Sequence, residues 1–136
     1  MKTIADTHAH LCDPAFEGEI RTVLERAWAA GISPVIAVGE NLADAKKNLS
    51  LAAESSTIRP AAGLYPTYLD IGLAEEVKSF IKDHQDRLVA IGEVGLDYWM
   101  VKGDSEREIQ REIFQTFINL ANELGLPLNV HSRSAG

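Results

Sequence analysis

The sequence predicts an α/β fold built on a parallel sheet, and three observations carry that expectation. Short apolar runs alternate with stretches of helical periodicity in the order βαβαβαβαβ, a pattern that calls for parallel strands joined by helical crossovers. One run, Val35-Ile36-Ala37-Val38, is apolar without interruption, as a strand buried on both faces is. The residues suited to hard metal ions gather at the ends of the apolar runs: Asp6, His8 and His10 after the first, Glu93 and Asp97 after the fourth, His131 at the last.

Taken in order, the first strand is expected over Ile4–His8. A helix follows, because Ile20, Val23, Leu24, Ala27 and Trp28 fall at i, i+3, i+4, i+7 and i+8, one face of a 3.6-residue period. Gly31 is its expected stop. The second strand covers Pro34–Val38, and Leu42, Ala45, Leu49 and Ala52 form the next helical stripe. The third strand is placed at Ile58–Leu64, before the stripe Leu73, Val77, Phe80 and Ile81. The fourth is placed at Leu88–Gly92. The longest stripe then runs through Ile109, Ile113, Phe117, Leu120 and Leu124, with Asp104 or Ser105 as its cap and Gly125 and Pro127 as its stop. Leu128–His131 is the fifth strand. Two architectures fit this order: an open five-stranded doubly wound sheet, or the first half of an eightfold βα barrel, whose usual length is about 250 residues. Both place function at the C-terminal ends of strands.

At 136 residues and 46% hydrophobic content the chain has the size and apolar fraction of one domain. Thirteen basic against twenty acidic residues give a net charge of −7. An acidic chain has no general grip on nucleic acid, although a bound divalent metal reverses the sign locally and leaves phosphate substrates open. The single cysteine, Cys12, cannot form an internal disulfide, which fits a reducing, cytoplasmic compartment. Asp6 precedes any apolar stretch, so a signal peptide is not expected. No run approaches the roughly 18 apolar residues of a membrane span, so no membrane partner is expected.

On a strand, residues two apart face the same way. Asp6, His8 and His10 then share one side, and two imidazoles converging from one segment suit a divalent cation, with Asp6 as an orienter behind them. Taken alone, His-x-His is as often a pair of solvated histidines. Glu93 follows an apolar run ending in Gly92, where a carboxylate is costly unless paired or metal-bound, and a glutamate is able to bridge two ions. Asp97 is expected in the same loop, beyond Gly95. The bland alternative makes Glu93 a helix cap and Asp97 a solvated side chain. Arg133 lies two positions after His131 and suits an anionic substrate, its planar fork matching two phosphate oxygens. A surface arginine is the competing reading. Cys12 reads as a small packing residue rather than a nucleophile. Tyr98 and Trp99 read as packing or as pocket lining, and His84 as a helix-end residue without function.

Three segments, Asp6–Leu11, Gly92–Tyr98 and Pro127–Arg133, together resemble the TatD family of metal-dependent hydrolases. The likeness runs through Asp-x-His-x-His-Leu, Gly-Glu-Val-Gly-Leu-Asp-Tyr and Pro-Leu-Asn-Val-His-Ser-Arg, and covers the whole chain. It implies the first half of a TIM-type (β/α)8 barrel, five parallel strands with four helices, over residues 1–136. It also implies a phosphodiesterase or deoxyribonuclease working through two divalent ions (Mg, Mn, Zn or Ni). His8 and His10 would hold one ion, Glu93 would bridge, and His131 would hold the second. Arg133 would contact substrate phosphate, with Asp6 and Asp97 in support. The partner would be DNA or a small phosphodiester.

Two departures stand out. Where the family has Gly-x-His-Pro-His, this chain reads Gly63-Leu64-Tyr65-Pro66-Thr67. The family's general base and a further ligand would fall beyond Gly136, so no catalytic base is assigned and the isolated chain is expected to be inactive, or to need a second chain to complete the barrel. Amide or lactone hydrolysis on the same scaffold, and a non-catalytic remnant, remain as rival readings.

Overall fold

A computed structural model describes residues 2–136. The elements are β1 (Ile4–Ala9), α1 (Ile20–Ala29), β2 (Ile32–Ala37), α2 (Leu42–Glu54), β3 (Ile58–Ala62), α3 (Ile71–Asp83), β4 (Ala90–Asp97), α4 (Asp104–Leu124) and β5 (Leu128–Arg133). All four strand pairings are parallel. The five strands lie in the order β1-β2-β3-β4-β5.

That order decides between the two architectures. A doubly wound sheet reverses direction at a switch point, whereas here each strand lies beside its sequence neighbour. The sheet is also curled. Laid flat, its outer strands would sit about 19 Å apart, four spacings of 4.8 Å. Instead Asn129 on β5 hydrogen-bonds the Thr7 carbonyl and the His8 ring on β1. The five strands are a sector of a barrel, as the family resemblance implies.

The helices form where the apolar stripes predict them, with local chemistry setting their ends. Asn41 and Asp70 accept from the Asp44 and Leu73 N–H groups in the first turns of α2 and α3, at 3.1 and 3.0 Å. The expected cap of α4 is corrected: Gly103 holds the cap position, Asp104 is already helical, and Glu106 reaches back to the Gly103 N–H. Gly125 closes α4 at φ +66, a left-handed turn that a side chain disfavours.

The main core lies between α3, α4 and the sheet. Val77, Ile81, Ile113, Phe117 and Leu120 pack there against Leu64, Ile91 and Val94. A second cluster joins Leu11, Val35, Ala37 and Ile58, with Ile20 and Leu24 of α1 packed on it. The outer strands are more exposed than β3 and β4; Ile4 is 76% and Val130 50% exposed. Among the described residues no helix is long and apolar enough to cross a membrane.

Strand β4 departs most from expectation. Two glycines suggest an early stop, yet the strand begins at Ala90 and continues to Asp97. Gly95 is required by its neighbour rather than by a turn. It pairs with His131 of β5 at φ +147, and a Cβ built on it would stand 2.0 Å from the His131 carbonyl oxygen. The glycine lets β4 and β5 close up beneath the site.

Candidate metal centre

Three strands bring the site together. β1 presents His8 and leads into His10, whose rings lie edge to face with centroids 5.2 Å apart. That neighbourly placement is what same-side alternation predicts. Asp6 does not enter the cluster: its Oδ1 accepts the His8 backbone N–H at 3.0 Å and braces the strand end.

Glu93 rises from β4, only 3% exposed. Its two oxygens face different neighbours. Oε2 lies 3.6 Å from His8 Nε2 and 3.1 Å from His10 Nε2, yet it is buried with no aligned hydrogen-bond partner. Oε1 is 2.7 Å from His131 Nδ1. A buried carboxylate oxygen without a partner is costly. A divalent cation among His8, His10 and Glu93 would satisfy it, and the three side chains offer ligand atoms all within 4.8 Å of one another. Two imidazole nitrogens and a carboxylate are a donor set that such ions accept. The residues therefore fit a metal.

His131 joins through the other side of Glu93. Its Nε2 lies 2.9 Å from Asp97 Oδ2, so both ring nitrogens meet carboxylates. Asp97 is fully buried on β4, which corrects its expected loop position. Burial alone would raise its carboxyl. The Met100 N–H, the bond to His131 and the Tyr65 hydroxyl outweigh burial and hold it below its ordinary value. Met100 N donates to Oδ1 at 2.8 Å and Tyr65 donates to Oδ2 at 3.3 Å.

Tyr65 stands where the family motif has histidine. The structure turns it toward the cluster, edge-on to His131 at 5.0 Å. Burial, then the charges of Asp97 and Glu93, raise its phenol above the ordinary value. Gln110, which the sequence reading passed over, ties the region together: its Oε1 accepts from Asp97 N and its Nε2 donates to Pro66 O at 2.7 Å. The signal was available, since Gln110 is a polar residue three before Ile113 and seven before Phe117 on the buried stripe of α4. Asn129 was missed as well, although alternation places it on the same face as His131.

Arg133 stands apart from the carboxylates. Its guanidinium carbon lies 3.9 Å over the ring of Trp99, itself 51% exposed, and among the described residues it forms no ion pair. The strand pairing that sets Arg133 beside Asp97 keeps it next to the cluster. Cys12 is buried and donates to the Val38 carbonyl at 3.6 Å. Burial, then the charge of Asp44, push its thiol up to about 11, in keeping with a packing role. His84 caps the end of α3, its Nδ1 2.8 Å from the Phe80 carbonyl oxygen.

Comparison with known proteins agrees with this geometry. Residues 5–136 match the model of a family described as TatD related DNase. The chain is 34% identical to the human protein named deoxyribonuclease TATDN3, covering 98% of this chain and 53% of that one. It is 36% identical to an uncharacterized metal-dependent hydrolase, YabD, of Bacillus subtilis, covering 96% and 51%. Among solved structures it resembles the TatD homologue YJJV of Escherichia coli, with TM-score 0.84, 30% identity and coverage of 96% and 51%. A TatD-family hydrolase from Entamoeba histolytica aligns at TM-score 0.82 and 27% identity, covering 98% and 51%. The chain spans about half the length of the curated relatives it matches.

Proposed function

The chain belongs to the TatD family of DNase-related proteins, and from that premise we propose that residues 1–136 supply the N-terminal part of a phosphodiester-hydrolysing barrel centred on His8, His10, Glu93 and His131. One observation carries the reading: the buried, partnerless Oε2 of Glu93, facing two imidazole nitrogens. A divalent cation held there would supply Lewis acidity and water activation. The side chains do the rest of what this chain contributes. His8, His10 and Glu93 would hold one ion. Glu93 and His131 would hold a second ion, a reading supported by the two Glu93 oxygens facing different histidines. Asp97, held ionised, orients His131 through Nε2, and Asp6 fixes the backbone from which His8 projects. Arg133 binds substrate phosphate through its planar N–H edge, with its carbon face laid on Trp99. The substrate is DNA or a smaller phosphodiester, and turnover belongs to the whole barrel.

Calorimetric titration with Mn²⁺ and Zn²⁺ tests the site. The wild-type chain should bind, and Glu93→Gln should bind about 100-fold more weakly or not at all, since a ligand is lost outright. Equal binding by the two would sink the assignment. Parallel assays with bis-p-nitrophenyl phosphate, DNA and amide substrates separate phosphodiester hydrolysis from amide hydrolysis and from metal binding without turnover.

A further inference from the structure

Asn129 spans the inside of the curled sheet, and its two amide atoms are told apart by what they meet. The carboxamide nitrogen faces the carbonyl oxygen of Thr7. A carbonyl accepts and never donates, so the atom facing it must be the NH₂ group. The amide oxygen is thereby the atom 2.7 Å from His8 Nδ1. An amide oxygen only accepts, so the proton of that bond sits on His8 Nδ1. In the neutral ring the lone pair then lies on Nε2, the nitrogen facing Glu93 Oε2 at 3.6 Å.

We propose that Asn129 is a positioning residue: it locks the His8 ring in the Nδ1–H tautomer and aims its Nε2 lone pair at the cation position beside Glu93. The anchoring runs through the Thr7 carbonyl, one residue before His8, so ring and backbone of the same strand end are held by one side chain. A hydrogen bond to the far nitrogen is what fixes the tautomer and orientation of a metal-binding imidazole. Here it comes from an uncharged side chain, on a strand four places away in the sheet. The alternation of β5 puts Asn129 and His131 on one face, so the same strand serves both sides of Glu93: His131 bonds Oε1 directly, and Asn129 sets the histidine that faces Oε2.

This inference rests on the proposed metal role of His8, and the experiment separates the two. Long-range ¹H–¹⁵N correlation spectra of the metal-free chain, near pH 8 where the free imidazole is neutral, read the His8 tautomer directly. The wild type should show a protonated Nδ1 and an unprotonated Nε2. Asn129→Leu should release the ring to the Nε2–H form, while Asn129→Gln, which keeps both the acceptor and the amide donor to Thr7, should keep the Nδ1–H form. Zn²⁺ affinity should fall by about 10- to 100-fold in Asn129→Leu and return in Asn129→Gln. An Nε2–H wild-type ring overturns the proposal without any variant having to fold, and so does an Asn129→Leu spectrum identical to wild type. If the tautomer behaves as stated but the wild-type chain binds no cation, Asn129 keeps its orienting role and the metal reading of His8 is what fails.

Discussion

Single residues in this chain are tuned by what surrounds them, and Cys12 shows it most simply. Burial and the charge of Asp44 raise its thiol from 9.0 to about 11. The sign of the linkage follows: the group stays neutral in the fold, so its contribution to stability is complete below about pH 9 and is lost as pH rises through about 11. At pH 8 the thiolate fraction is about 100-fold below that of a free cysteine, because two pH units separate the two values. Reaction with a thiol-specific disulfide reagent should therefore be at least that much slower in the native chain than in urea, and rapid stoichiometric labelling of the folded chain would contradict the packing role. The site residues divide by the same logic of surroundings. That His8, His10 and Glu93 come together was legible because metal chemistry restricts residue types and strand alternation restricts spacing. Asn129 was not legible as a site member, and Tyr65 was marked only by its place in the family motif and not by its bond to Asp97, because their partners lie 121 and 32 positions away. No spacing rule reaches that far.

Among the elements, the helices were the more readable, and each long apolar stripe became one helix within a few residues. Strand β4 was read as five residues ending at Gly92 and proved to be eight, Ala90–Asp97. Glycine is a poor strand former by propensity, so Gly92 and Gly95 look like a boundary when only local preference is weighed. What overrides propensity is the approach of β5, with the His131 carbonyl occupying the space a Gly95 side chain would need. The consequence for function is direct, since the strand thus prolonged carries both Glu93 and Asp97. Gly95→Ala should cost about 3 kcal/mol or more, combining a disfavoured φ with the clash. It should also weaken cation binding by moving His131 away from Glu93. Urea denaturation checks the first expectation, and an alanine variant within 1 kcal/mol of wild type (about a fivefold change in the unfolding constant) would show that the strands part without cost.

For the molecule as a whole, the sheet order settles what periodicity left open. Alternating strands and helices fit two architectures, and only the neighbour relations of the strands, a property of the assembled sheet, separate them. Among the described residues β1 and β5 are each paired on one side only, and Ile4 and Val130 on them are exposed. Unpaired parallel edges with apolar side chains favour association. Sedimentation velocity of the chain should show mass increasing with concentration, and the double variant Ile4→Lys, Val130→Lys should shift it toward the monomer. A monomer at every concentration would mean that the edges are already protected.

The neighbour-by-neighbour strand order also has a meaning in time. Each pairing closes over a single helix, so a chain emerging from the ribosome is able to add strands one after another without waiting for distant sequence. The bonds from Asn129 to Thr7 and His8 are the exception, spanning 122 and 121 positions. His8 and His10 are thus among the first residues synthesised and, facing Glu93 and Asn129, among the last to be put in order. A cation bound there would act as a seal on a finished sheet and not as a seed for it, so zinc added during refolding should leave the early rate unchanged and slow only the reopening.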